Sequence, residues 1–131
     1  MKDKVRIGIV GIGGRGVHSL EACLQMKDVE VPALCDSVDE NLARAKKMVE
    51  DSGRQTPETY TDYRALVERD DIDGVLIVTG WADQIPITIA AMKAGKYAAP
   101  ECGPSETVEQ CWDLVRTYEQ TGMPCMMLEN H

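Results

Sequence analysis

The stretch KVRIGIVGIGGRGVHSL, Lys4–Leu20, runs from a short apolar segment directly into four glycines within the six residues 11–16. Glycine loses more conformational freedom on folding than any other residue, so a cluster this dense needs a backbone reason, either a turn with positive φ or a close approach that a side chain would block. Val5–Val10 has the β-rich composition of a strand, and Val17–Met26 reads as a helix. The glycines therefore occupy a strand-to-helix turn.

Working outward, Val29–Cys35 (VEVPALC) is again apolar and β-branched, with Pro32 as an interruption, which makes β-α-β within the first 35 residues. Val38–Asp51 follows as a helix, with Leu42, Ala45, Met48 and Val49 at helical spacing and charges opposite. The turn-rich SGRQTPETY holds a short strand near Tyr60, and Asp62 is placed to cap a brief helix through Val67. Asp73–Thr79 (DGVLIVT) is continuously apolar, as expected for the centre of a parallel sheet covered on both faces. Ile85–Ala94 is a helix stopped by Gly95, and Lys96–Pro100 is a short strand. Thr107 and Gln110 match a capping box opening a helix whose Val108, Cys111, Trp112, Val115 and Tyr118 form one apolar stripe, closed by Gly122 and Pro124. Cys125–Leu128 reads as a last strand. Alternation of this kind, without repeats or low-complexity linkers, specifies an α/β doubly wound fold with helices on both faces of a parallel sheet.

Size and composition agree with one soluble domain: 131 residues, 44% hydrophobic and 27% charged. A formal net charge of −8 argues against affinity for nucleic acid or an anionic membrane, since both need clustered Lys and Arg. No apolar run approaches the length of a membrane span and MKDKVRIG lacks a signal-peptide core, so a cytoplasmic protein is expected. Cys23, Cys35, Cys102, Cys111 and Cys125 are odd in number and contain no C-x-x-C pair, and His18 and His131 have no partner at ligand spacing. Neither a disulfide framework nor a metal site is expected.

In this context Gly11-Ile12-Gly13-Gly14-Arg15-Gly16 parses as G-x-G-x-x-G between a strand and a helix, the fingerprint of a Rossmann dinucleotide site. Gly11 makes the tight turn, Gly13 admits a pyrophosphate to the backbone, and Gly16 lets helix and strand pack closely. Ile12 and Gly14 belong to the same loop, and Arg15 either adds charge beside the phosphates or is a solvated helix residue. Asp36 stands 20 residues after Gly16, directly behind the second strand. A carboxylate there accepts from ribose hydroxyls and repels a 2′-phosphate, and no arginine occupies residues 37–39, so NAD is favoured over NADP. Asp36 also has a structural reading as the turn residue that starts the next helix.

The VRIGIVGIGGRG opening, Cys35-Asp36, the strand leading to Thr79, the AGK at Ala94 to Lys96, the turn at Glu101 and the closing MLEN together resemble the N-terminal domain of the Gfo/Idh/MocA oxidoreductases of sugars and cyclitols. The resemblance spans almost the whole chain. It implies that Thr79, Gly80, Trp81, Gln84 and Glu101 lie along the cofactor towards the nicotinamide. It also implies a second domain carrying most substrate contacts, absent from this chain, and a homo-oligomer when full length.

Family members commonly place a catalytic lysine after the glutamate, whereas this chain reads Glu101-Cys102-Gly103-Pro104, so the catalytic group is unassigned. Lys96 matches the AGK and not that lysine. A histidine common after the fourth strand is replaced near Gln84. The run CWDLV to CMMLEN is similar to the branch of NAD-dependent α-N-acetylgalactosaminidases, in which retained NAD oxidises and re-reduces the sugar during glycoside cleavage. The expectation is thus an NAD-binding domain of an oxidoreductase acting on a sugar or polyol, with the NAD-dependent glycosidase and a non-catalytic nucleotide-binding domain as alternatives.

Overall fold

The apolar runs pair side by side in the computed structural model, which describes residues 3–102 and 105–129. Five strands, β1 (Val5–Val10), β2 (Val29–Cys35), β3 (Glu58–Tyr60), β4 (Gly74–Ile77) and β5 (Tyr97–Pro100), form a parallel sheet in the order β3-β2-β1-β4-β5. Five helices connect and follow them: α1 (Gly14–Leu24), α2 (Asp39–Asp51), α3 (Tyr63–Val67), α4 (Trp81–Lys93) and α5 (Val108–Thr121). This is the expected doubly wound sheet. Successive strands run outward from β1 on one side to β3, then return to β4 on the other, and that reversal leaves a crevice beyond the carboxyl ends of β1 and β4.

Two apolar layers hold the sheet. Ile9, Leu34 and Val31 pack against Leu20 and Cys23 of α1 and Leu42, Ala45 and Val49 of α2, while Val10, Val75 and Ile77 pack against Leu66 of α3 and Ile87, Ala91 and Met92 of α4. Alternating residues of β1 thus serve opposite layers, as the two-residue period of a strand requires. Pro32 does not end β2. Arg6 pairs with Glu30 but Gly8 with Ala33, so β2 carries one extra residue there, and β3 pairs only from Ala33 onward. The bulge puts the proline where no ladder N–H is needed. Arg54 closes the other end of this unit, donating to Val29 O (2.9 Å), Leu24 O (3.3 Å) and Met26 O (2.7 Å) around the carboxyl end of α1.

Several expected boundaries shift. α1 begins at Gly14 and not Val17, because the glycine loop itself supplies the first turn. α4 begins at Trp81, four residues before Ile85, and carries Pro86 inside its second turn. β4 is shorter than Asp73–Thr79, yet Asp73 N donates to Arg6 O (2.8 Å) and Val78 N to Val10 O (2.8 Å), so the ladder bonds extend past the strand. Cys125–Leu128 forms isolated parallel bridges, Ala98 with Cys125 and Glu101 with Leu128, and not a continuous sixth strand. Asp62 caps α3 as expected, accepting from Arg64 N (2.9 Å). Thr107 caps α5 by accepting from Gln110 N (3.1 Å), although Gln110 Oε1 accepts in return from Glu106 N (2.6 Å), one residue earlier than in a regular capping box. The apolar stripe of α5 faces solvent: Val108, Trp112, Val115 and Tyr118 are exposed, and Leu114 and Thr117 turn inward. No helix among the described residues is long and apolar enough to cross a membrane.

Candidate functional site

The glycine loop shows two kinds of constraint. Gly11 has φ +92°, and a Cβ there would run into Val78 O; a Cβ on Gly16 would run into Gly11 O. These two glycines exist for the turn and for helix-on-strand contact. At Gly13 and Gly14, by contrast, a Cβ would meet nothing within 4 Å. Their missing side chains leave open space at the amino end of α1, whose N-cap Gly13 makes no side-chain capping bond. Main-chain N–H groups of a helix start are therefore presented to an unfilled hollow, an arrangement suited to a phosphate.

Beside the loop lies a cleft of about 280 Å³ bounded by Gly11, Gly13, Asp36, Thr79 and Gly80, with Cys35, Ser37, Thr61 and Asp83 also on its walls. Asp36 has the turn role expected of it at the start of α2, and it also reaches back to the glycine loop. Its Oδ2 accepts from Ile12 N (2.7 Å), and its Oδ1 accepts from Val38 N (2.8 Å) and Asn41 Nδ2 (3.4 Å), so it ties the glycine loop to the start of α2. A carboxylate oxygen has room for two donors. Among the described residues Oδ2 takes one donor, and Asp36 lines the cleft. Burial pushes the neighbouring Cys35 thiol up to about 11, with Asp36 and Asp62 adding to the effect, so Cys35 stays a protonated wall residue.

The crevice continues past β4 into a hollow of about 450 Å³ lined by Arg15, Thr79, Trp81, Gln84, Glu101 and Cys102. The structure thus brings the expected residues into two adjoining groups, Gly11 to Gly16 with Asp36 and Thr79 to Gln84 with Glu101. Arg15 neither points into solvent alone nor waits over the loop: its Nε lies 3.6 Å from Glu101 Oε2 across the mouth. Gln84 is 2% exposed, donates from Nε2 to Thr79 O (2.9 Å), and its buried Oε1 has no partner among the described residues. Trp81 is 64% exposed. Cys102 sits beside Glu129, which raises its thiol pKa more than slight burial or Glu101 does, so its sulfur is not an activated nucleophile. Gly103 and Pro104 lie outside the described residues, as do Asn130 and His131.

An oxidoreductase-family model described as an NAD-binding Rossmann fold matches residues 5–129. The chain belongs to the Gfo/Idh/MocA family. Among curated relatives, an alpha-N-acetylgalactosaminidase of Bacteroides fragilis is 43% identical over 129 residues, covering 96% of this chain and 30% of that protein. A glycosyl hydrolase family 109 protein of Shewanella is 40% identical over 132 residues, with 98% and 29% covered. Among solved structures, an apo scyllo-inositol dehydrogenase from Lactobacillus casei superposes with a TM-score of 0.85 at 25% identity, covering 97% of this chain and 37% of that one. The chain spans about a third or less of the length of the relatives it matches.

Lys96 is placed far from this Gfo/Idh/MocA crevice, before β5 begins. It is buried, and its Nζ donates to Arg69 O (2.5 Å), a structural bond at the amino ends of the strands. A larger hollow, about 850 Å³, also opens at that end. Its arginines are committed: Arg6 to Asp73, Arg69 to Asp71, and Arg54 to main-chain carbonyls. Its arginines are therefore engaged, whereas the smaller crevice includes an uncapped helix start. Sequence reading missed Asn41 and Arg44. Arg44 Nη2 donates to Ile12 O (3.1 Å) and to Asn41 Oδ1 (3.3 Å), so both main-chain groups of Ile12 are held by side chains. Nothing in the spacing signals Arg44, because its partner is a carbonyl 32 residues away.

Proposed function

We propose that this chain holds a nicotinamide dinucleotide, NAD in preference to NADP, as the cofactor domain of a longer enzyme that moves a hydride to or from a sugar or polyol. One observation carries the reading: Gly13 and Gly14 leave open space at an uncapped helix start, whereas Gly11 and Gly16 are jammed against backbone. Space with donors around it fits a diphosphate. When bound, the nicotinamide supplies a hydride acceptor and donor. The chain's own part is to bind and orient: α1 N–H groups for the diphosphate, Asp36 for the adenosine ribose, and the β4–β5 end of the crevice for the nicotinamide half. The carboxylate of Asp36 supports NAD, since a 2′-phosphate beside it meets like charge. Arg44, the nearby cation, is engaged on Ile12 O. Substrate contacts are assigned to a further domain, and the catalytic acid or base is left unassigned. Free thiols at all five cysteines suit the reducing cytoplasm.

The relation to the alpha-N-acetylgalactosaminidase favours a specific form of this function. Hydride taken from the sugar is returned to it after the glycosidic bond has broken, so hydrolysis proceeds without net oxidation. Two experiments test the reading. Titration with NADH and NADPH, followed by nicotinamide fluorescence, should show NADH bound more tightly; binding of neither at millimolar concentration would sink the proposal. Nitrophenyl glycosides assayed with the full-length protein should release nitrophenol without added oxidant, and release only with stoichiometric oxidant points to net oxidoreduction instead.

A further inference from the structure

Two consecutive peptide groups of the glycine loop are held by side chains from outside it, one directly after β2 and one in α2. Ile12 N donates to Asp36 Oδ2 (2.7 Å), which fixes the Gly11–Ile12 peptide, and Ile12 O accepts from Arg44 Nη2 (3.1 Å), which fixes the Ile12–Gly13 peptide. Asn41 joins the two side chains, donating from Nδ2 to Asp36 Oδ1 (3.4 Å) and accepting at Oδ1 from Arg44 Nη2 (3.3 Å). The hydrogen bonds therefore close a ring through Ile12, Asp36, Asn41 and Arg44. Arg44 is an exposed residue of α2 and lines neither hollow of the crevice. A long cation on a helix surface is ordinarily free, yet this one is spent on a main-chain carbonyl of the loop.

The Arg44 bond controls the next residue as well. In a trans peptide the carbonyl and the following N–H point in opposite directions, so an Ile12 carbonyl turned towards Arg44 turns the Gly13 N–H away from it. Gly13 is a wall of the 280 Å³ cleft and the N-cap of α1. It is also the residue that makes this orientation easy to lose. Turning the Ile12–Gly13 peptide over carries φ of Gly13 from −78° to about +100°, which glycine enters as readily as negative φ. Nothing lies within 4 Å of a Cβ position there to obstruct the turn. A flipped peptide presents the Ile12 carbonyl where the Gly13 N–H had been, and a carbonyl oxygen repels phosphate. The glycine that leaves room for a diphosphate thus leaves its peptide free to face it the wrong way. We propose that Arg44 is the latch against this flip, a positioning residue that holds Ile12 O, keeps the Gly13 N–H available to the diphosphate and does not itself touch the dinucleotide. Its effect on affinity rests on the dinucleotide reading above; the flip is a property of the free protein.

Two measurements test the latch separately from the ligand. In amide ¹H–¹⁵N spectra of the free protein, Gly13 should give one sharp resonance in wild type and a displaced or broadened one in Arg44→Met, which keeps side-chain length without a donor. Arg44→Lys, which keeps a donor of similar reach, should lie near wild type. In a Gly13→Ala background, where a Cβ makes positive φ costly, Arg44→Met should no longer alter the amide of residue 13. An unchanged Gly13 resonance in Arg44→Met overturns the inference, and so does broadening spread evenly over the domain, the mark of a structural role. Arg44→Gln, too short to reach Ile12 O, gives the same comparison if Arg44→Met does not fold. In calorimetric titrations Arg44→Met should bind ADP-ribose about tenfold more weakly than wild type, the worth of one charged hydrogen bond, and should bind adenosine, which has no diphosphate, as wild type does. Unchanged affinity for ADP-ribose, or an equal loss of adenosine, overturns the role of Arg44 at the diphosphate. Wild type that binds no ADP-ribose refutes the dinucleotide reading instead, while the spectra still decide the flip.

Discussion

Replacing Gly13 with aspartate should make the free chain more stable and destroy its affinity for a dinucleotide. A Cβ at this position meets nothing within 4 Å, so packing does not oppose the substitution. Gly13 is the N-cap of α1, with φ −78° and ψ −150°, extended backbone that does not require glycine. Aspartate is among the best N-cap residues, gaining a few tenths of a kcal/mol over glycine, and its charge opposes the helix dipole for about 0.3–1 kcal/mol more. At about 4 °C per kcal/mol for a domain of this size, Tm should rise by about 2–4 °C. Binding moves the other way. A carboxylate about 4 Å from a diphosphate, at an effective dielectric near 20, costs about 4 kcal/mol, enough for a loss of more than a hundredfold. Differential scanning fluorimetry of the free protein and titration with ADP-ribose read the two effects separately. An affinity within threefold of wild type would place the diphosphate elsewhere, and a Tm lowered by more than 5 °C would show that Gly13 is structural after all.

Gly16→Ala should behave oppositely, since its Cβ collides with the Gly11 carbonyl and must push α1 off β1. Overpacking of about 1–3 kcal/mol exceeds the roughly 1 kcal/mol gained in helix propensity, so a fall in Tm accompanied by weaker binding is expected, and an unchanged melting curve would count against close helix-strand contact. The Arg69–Asp71 pair makes a pH-dependent contribution. Arg69 holds the Asp71 carboxyl below its ordinary value chiefly through their hydrogen bonds, so its stabilisation is complete above the unfolded carboxylate value near 3.9 and is lost as pH falls through the lower folded value. The stability difference between wild type and Asp71→Asn should accordingly shrink below about pH 4 in urea titrations, and a difference that grows there would reverse the sign of the coupling. Cys102 is exposed, yet Glu129 raises its pKa. Iodoacetamide at pH 7.5 should label it slowly and label it faster in Glu129→Gln, as peptide mass spectrometry can resolve; equal rates would remove Glu129 as the cause.

What could be read from the chain depended on whether a residue acts on its neighbours in sequence or across the fold. The glycine pattern, the β4 run and the Asp62 cap are local statements, in which the residue types constrain the backbone beside them, and each reappears in the structure close to where it was expected. The place of Asp36 beside the glycine loop was legible because its distance from Gly16 is set by one β-α-β unit, whose length varies little. Arg44 was not, because it bonds a main-chain carbonyl, and a carbonyl carries no signature of residue type. The outward stripe of α5 shows a different limit. Periodicity identifies an apolar face, but the direction in which it points depends on the partner. Here Thr117, whose hydroxyl is satisfied by Asp113 O at 2.7 Å, can turn inward while Trp112 and Tyr118 turn out.

The unpartnered acceptor of Gln84 sits at the extreme of this scale. Glutamine in a helix is unremarkable by type and spacing, and only the hydrogen bonds around its side chain expose a buried acceptor that the described residues leave unused. Most of the molecule satisfies its own polar groups, down to a buried lysine spent on a carbonyl and an arginine spent on a helix end. Against that background, the starts of α1 and α4, both without a side-chain cap, fall along one crevice. Folding does not explain the open start of α1 there; a bound phosphate is the proposed reason.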